Sequence, residues 1–188
     1  MLSFFAREPT QSLTNGYRIA DKSGCPDPHR SPEMTKMNEF AQAVSDVEEK
    51  CSKLLASPKY LMDTLPKEIP LAGVYLLSER GQALYVGRTN KLRNRLQYHT
   101  RNNHNQATFA FLLAREQTGK RKATYQKSGS REDLLTQPDF RSAFDGARQR
   151  IQKMDVQFVE EPDPIRQALL EICTALKVEA RYNDFDNH

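Results

Sequence analysis

The chain has 188 residues, with 28 Lys and Arg against 24 Asp and Glu and a formal charge of +4. That length holds one compact domain with a core and an appendage, not two full-sized domains. The mild basic excess tolerates a polyanionic partner without demanding one. Cys25, Cys51 and Cys173 are odd in number and form no Cys-x-x-Cys pair, which excludes a disulfide framework or zinc ribbon and fits a reducing cytoplasm. Met1 to Phe5 is too short an apolar run for a signal peptide, acidic Glu8 comes soon after, and no stretch approaches a membrane span.

Residues 1–33 mix Pro, Ser, Gly, Asn and charge without a helical or strand period, and are expected to be a disordered tail. Residues 34–70 read as a helical arm and linker. Phe40, Val44, Val47, Cys51 and Leu54 share one face of a helix over Thr35 to Ala56, and Pro58, Pro66 and Pro70 punctuate the linker. Gly73 to Ser78 and Ala83 to Gly87 read as the strands of a hairpin around Glu79-Arg80-Gly81-Gln82, with the glycine supplying positive φ.

Asn90 is expected to cap a helix running to about Thr100, with Leu92 and Leu96 as its buried stripe, and a second helix is expected over Ala107 to Gln117. Thr118 to Arg131 contains Lys120, Arg121, Lys122, Lys127 and Arg131 with no acid, and reads as a flexible basic loop. A helix over Pro138 to Lys153 leads to a strand over Met154 to Glu160. Asp163-Pro164 then opens a last helix whose expected core stripe is Ile165, Leu169, Ile172 and Leu176. The expected fold is α/β, a small, mainly antiparallel three-stranded sheet flanked by helices, with an N-terminal helical arm.

The hairpin and its following helix read Gly73-Val74-Tyr75, Tyr85-Val86-Gly87-Arg88 and Leu92-Arg93-Asn94-Arg95-Leu96-Gln97-Tyr98-His99. This pattern resembles the GIY-YIG nuclease family, and the domain so implied covers 71–188. In that family an arginine lies about ten residues beyond the second motif's tyrosine, which is Arg95 here, and many members carry a histidine one turn later, which is His99. The family's metal-binding glutamate lies on a later helix and is followed by a structurally important asparagine, places that Glu171 and Asn183 could fill. Arg88 stands where many members have lysine, keeping the charge but not the point-like ammonium.

The resemblance implies a Mg²⁺- or Mn²⁺-dependent endonuclease acting on nucleic acid, most simply DNA. Tyr75, Tyr85, Arg95, His99 and Glu171 are the expected catalytic residues, with Glu171 on the metal. Arg88, Asn183, Lys120, Arg121 and Lys122 are the expected substrate contacts. Physically, tyrosines on neighbouring strands converge if they leave one face, and Arg95 and His99, four apart on a helix, must share a side. A guanidinium there can make two charge-assisted bonds to phosphate. Either Tyr75, if nearby cations favour its phenolate, or His99 activates the water. His104, in Asn103-His104-Asn105, reads as a loop residue. Two other readings stay open: an inactive nucleic-acid-binding module of the same fold, and a protein-interaction domain led by the Met37 to Ala56 helix. Cutting both strands with one small site favours a homodimer or sequential nicks.

Overall fold

The computed structural model describes residues 32–120, 129–183 and 185. The expected tail up to residue 31, together with Arg121, Lys122 and the rest of the basic loop to residue 128, lies outside them. In chain order the elements are α1 (Pro32–Ala56), β1 (Gly73–Glu79), β2 (Gln82–Thr89), α2 (Leu92–Tyr98), α3 (Thr108–Gln117), α4 (Arg131–Thr136), α5 (Pro138–Gln152), β3 (Asp155–Glu160) and α6 (Pro164–Lys177). The sheet is antiparallel throughout, in the order β2-β1-β3, as the alternation of short apolar runs and helical periods predicts.

The hairpin turns through Arg80 and Gly81, both at positive φ (53° and 79°). Such two-residue turns match the right-handed twist of the strands they join. Tyr75 faces Gly87 across the hairpin and Leu77 faces Tyr85. Central β1 is buried almost throughout because helices cover both faces of the sheet. On one side Tyr75 and Leu77 pack with Leu92, Leu96, Phe109 and Phe144 of α2, α3 and α5. On the other, Val74, Leu76 and Val86 pack with Val47, Cys51 and Leu54 of α1 and Leu170 and Ala175 of α6. The arm is therefore integral to the core, and Lys50 of α1 adds an ion pair of 2.6 Å to buried Glu161.

Two expected stripes are corrected. Phe40 and Val44 are exposed, and α1 buries only Val47, Cys51 and Leu54 among the described residues. In α6, Ile165, Ile172 and Leu176 are exposed, whereas Gln167, Leu170, Thr174 and Ala175 are buried. The polar pair can be buried because both have partners: Gln167 Nε2 donates to Asn90 Oδ1 (2.9 Å) and to the Glu161 carbonyl (2.7 Å), and Thr174 Oγ1 lies 3.5 Å from Cys51 Sγ. This rotation of α6 turns Glu171 toward the sheet, leaving its side chain only 21% exposed.

Asn90 does not cap α2. Its side-chain oxygen is taken by Gln167, and α2 starts one residue later, after Lys91, with no side-chain cap. One helix was not expected: α4, capped by Ser130 Oγ accepting from Asp133 N (3.1 Å), while Asp133 Oδ2 accepts from Gly129 N (2.7 Å). Ser-x-x-Asp is the sequence signature of such a cap. Asp163 caps α6 as expected, its Oδ1 accepting from Arg166 N at 2.8 Å. No described helix is long and apolar enough to cross a membrane.

Candidate active site

Tyr75 and Tyr85 leave the same face of the hairpin, their rings 6.3 Å apart. That face is closed by α2, which brings Arg95 and His99 over it, and by α3, whose Phe109 stacks on Tyr85 at 4.8 Å. His99 is fully buried, with Tyr75, Tyr85 and Phe109 around its ring at 5.5, 5.8 and 6.2 Å. The phenol oxygen of Tyr75 is 2.7 Å from His99 Nε2 and accepts from Arg95 Nε at 3.2 Å.

The arginine fixes the direction of this chain, because a guanidinium only donates. If Tyr75 O–H donates to Nε2, one buried group is left without a partner, the Nδ1–H of His99. If His99 donated instead, both the phenol hydrogen and the Nδ1 lone pair would be orphaned. Each orphan costs about 1–3 kcal/mol, so the first arrangement prevails. Nδ1 is indeed without a partner. Burial, and then the neighbouring Arg95 charge, push the His99 pKa down to about 3, so the imidazole is neutral. The Tyr75 phenol is pushed well above its ordinary value, first by burial and next by Tyr85, against the pull of Arg95. Burial thus opposes a resting phenolate more strongly than Arg95 favours it.

Arg95 is held in place by several partners. Besides Tyr75, Nη1 donates to the Gln106 carbonyl and Nη2 to Thr108 Oγ1, each at 3.0 Å. The Tyr85 phenol also acts on the guanidinium, so both tyrosines and α3 fix its position. Glu171 comes from α6 to the sheet's other side, where its Oε2 accepts from Arg88 Nε at 2.9 Å. Its negative charge is felt at Tyr75, and it feels the charge of Arg95 in turn. Burial raises its pKa, with Arg88 opposing.

Among the described residues no three His, Cys, Asp or Glu side chains gather as a metal site. Glu171 stands by itself, half-buried, with Oε1 lacking a partner among them. Mg²⁺ keeps several waters and takes few protein carboxylates, so this donor fits such an ion.

The remaining expected residues make bonds of their own. Asn183 Oδ1 accepts from Val86 N (2.7 Å) and its Nδ2 donates to the Val86 carbonyl (2.8 Å), so both ends of its amide hold the open edge of β2. Tyr182 N donates to the Leu84 carbonyl alongside (2.9 Å). Lys120 Nζ donates to Gln137 Oε1 and to Asp139 Oδ2. His104 lies in the loop before α3, its carbonyl accepting from Arg131. Sequence reasoning missed Gln106 and Thr108, which fix Arg95 through a carbonyl and a hydroxyl that carry no motif of their own.

Residues 71–135 match the model of the GIY-YIG catalytic domain. Neither curated proteins nor solved structures give a match. The matched segment contains both strand motifs, Arg95 and His99, while Glu171 and Asn183 lie beyond it. Over residues 71–135 the chain is therefore similar to the GIY-YIG catalytic domain.

Proposed function

We propose that this protein is a metal-dependent endonuclease that hydrolyses phosphodiester bonds in nucleic acid, with DNA as its substrate. The observation that carries the reading is the chain Arg95–Tyr75–His99, held on a GIY-YIG domain with Glu171 across the strand end. Arg95 offers its guanidinium to a nonbridging phosphate oxygen, a charge-assisted contact that strengthens as charge develops in an in-line displacement. Tyr75 receives the proton of the attacking water as its own passes to His99 Nε2. Such a relay avoids a free phenolate, which burial opposes. The arriving phosphate charge favours the imidazolium that forms. Tyr85, beside Tyr75 on the same face, orients water or phosphate.

Glu171 is the residue that would hold Mg²⁺ or Mn²⁺, which when bound supplies Lewis-acid stabilisation of the phosphate's developing charge. Arg88 partly neutralises Glu171 and is the candidate second contact to the substrate. Asn183 is better read as holding β2 than as touching nucleic acid, and the pairing of Lys120 takes it from the substrate contacts. Residues 34–70 and 71–188 act as one unit, since α1 seats α6 and α6 carries Glu171. A dimer, or two sequential nicks, would cut duplex DNA.

An inactive binding module would keep Arg95 without a poised proton path, and the Tyr75–His99 bond favours the enzyme. Incubation of purified protein with supercoiled plasmid tests this. Nicked and linear products with Mg²⁺, abolished by chelator, are expected; intact plasmid under both conditions overturns the reading.

A further inference from the structure

We propose that the outward face of α2 is the track that holds the nucleic-acid strand flanking the scissile bond, with Lys91 gripping a phosphate next to the one that Arg95 receives. This rests on the nuclease reading above. A cavity of about 300 Å³ runs along that face, lined by Thr89, Asn90, Lys91, Asn94, Arg95 and Tyr98. Residues 91, 94, 95 and 98 recur at the spacing of one helical face. The Arg95 N–H donates to the Lys91 carbonyl at 2.9 Å, which sets Lys91 one turn before Arg95. The cavity is continuous with the reaction centre, because Arg95 belongs to both.

The lining divides into groups that the fold uses and groups that it does not. Asn90 Oδ1 accepts from Gln167 Nε2, and Thr89 Oγ1 accepts from the Lys91 N–H at 3.1 Å. The Lys91 ammonium, the Asn94 side-chain amide and the Tyr98 hydroxyl have no hydrogen-bond or ion-pair partner among the described residues. No carboxylate among those residues stands in the lining. Arg93, on another side of the same helix, is by contrast taken by the carbonyls of Pro66 and Lys67. Two larger cavities, of about 350 and 320 Å³, are lined by arginines that carboxylates already engage: Arg181 meets Glu116 and Arg150 meets Glu79 in the first, and Arg141 and Arg148 share Asp145 in the second. A cation with no counter-charge, beside the arginine that receives phosphate, extends an attractive field to the rest of a polyanion.

The spacing suits a strand. Four residues of helix advance about 6 Å, comparable with one to two nucleotides at roughly 3.4 Å of axial rise each. Lys91 and Asn94 are exposed, open to a backbone lying along the cavity, and Tyr98 is half-buried at its end. There the Arg101 guanidinium lies 4.8 Å from the centre of the Tyr98 ring, so a third cation continues the row beyond Lys91 and Arg95. Lysine, asparagine and tyrosine are donors that proteins set against phosphate and sugar, and a row of them reads the backbone rather than the base sequence.

The test is binding of a short mixed-sequence DNA duplex in chelator across a salt series, with single-turnover cleavage of the same duplex in Mg²⁺. Lys91→Gln is expected to weaken affinity about tenfold and to reduce the salt slope by about 0.9, the release of one counterion. The cleavage rate at saturating DNA is expected to fall far less than affinity, since Lys91 holds substrate away from the reacting atoms. Lys91→Arg keeps the charge and is expected to preserve the slope. Lys177→Gln makes the same charge change at the end of α6, which packs on the sheet's other face, and is expected to leave the slope as it is. An unchanged slope in a folded Lys91→Gln protein overturns the track while leaving the nuclease reading intact. An equal loss in Lys177→Gln would assign the effect to net charge and also overturn it, as would a slope lost in Lys91→Arg. A cleavage rate that falls more than affinity would place Lys91 on the reacting phosphate, against the flanking position. A wild-type protein that neither binds nor cuts the duplex removes the nuclease reading and this proposal together.

Discussion

Gly87 lies directly across the hairpin from Tyr75, so close that a Cβ at residue 87 would stand 2.4 Å from the phenol oxygen and 2.5 Å from Cζ. The glycine of Tyr-Val-Gly is therefore the floor on which the other motif's tyrosine rests, and the two motifs are one packing unit. Gly87→Ala is expected to destabilise the fold by about 1–3 kcal/mol, the usual cost of overpacking, and to shift Tyr75 off His99. Gly146, within α5, has open space where a Cβ would stand, with nothing within 4 Å. Gly146→Ala is expected to stabilise by about 0.5–1 kcal/mol through helix propensity. Urea unfolding of the two variants measures both, and equal effects would refute the packing account of Gly87.

The legible parts of this fold are those whose signal is local. The hairpin follows from two apolar runs around Arg80-Gly81, and the α6 start follows from Asp163-Pro164, because turn and cap chemistry act over three or four residues. Periodicity identifies α6 as a helix but misplaces its inward face, since Ile165, Ile172 and Leu176 lie outside. What decided the rotation was the hydrogen bonding of Gln167 to Asn90 and Glu161, pairs 77 and 6 residues apart that no helical pattern displays. In the site, Tyr75, Tyr85, Arg95 and His99 do come together, as their spacing predicts. The neutral imidazole and raised phenol were not legible, because both come from burial by α3, an element outside the motif.

Glu171→Gln is expected to remove metal-dependent cleavage while leaving duplex binding nearly unchanged. The amide keeps the shape and still accepts from Arg88, but it loses the charge that a divalent cation requires. Cleavage assays over a Mg²⁺ series, with binding measured in chelator, separate the two. Full cleavage by a folded Glu171→Gln protein would sink the assignment.

Burial of His99 also makes stability depend on pH. Its folded pKa of about 3 lies below the ordinary value of 6.5, so the folded state favours the neutral ring. Above 6.5 neither state is protonated and the contribution is fully present. As pH falls below 6.5 the unfolded chain takes up a proton that the folded chain does not, and stability declines by about 1.4 kcal/mol per pH unit until about pH 3. Glu79 and Asp139, whose pKa values are lowered by Arg150 and by a backbone bond and Lys120 respectively, lose stability in acid as well. The difference between wild type and His99→Gln isolates the histidine: unfolding midpoints of the variant are expected to be flatter between pH 6 and roughly 4. Parallel curves would show that His99 is not buried neutral.

Tyr75→Phe deletes the one oxygen that joins Arg95 to His99 and keeps the ring that fills the space over Gly87. It therefore separates chemistry from packing better than alanine would. If the phenol passes the proton of water to Nε2, turnover should fall by about a hundredfold or more while DNA affinity changes little. A loss of affinity at unchanged turnover would make Tyr75 a binding residue. His99→Gln tests the other end of the relay: the phenol keeps a hydrogen-bond partner, but one that cannot take up the proton. The relay predicts that both variants fall together and that the double variant is no worse than either alone, because one broken link stops the transfer. If the losses instead multiply, Tyr75 and His99 act independently. If His99→Gln alone abolishes turnover and Tyr75→Phe retains it, the histidine takes the proton from water directly and the phenol only positions it.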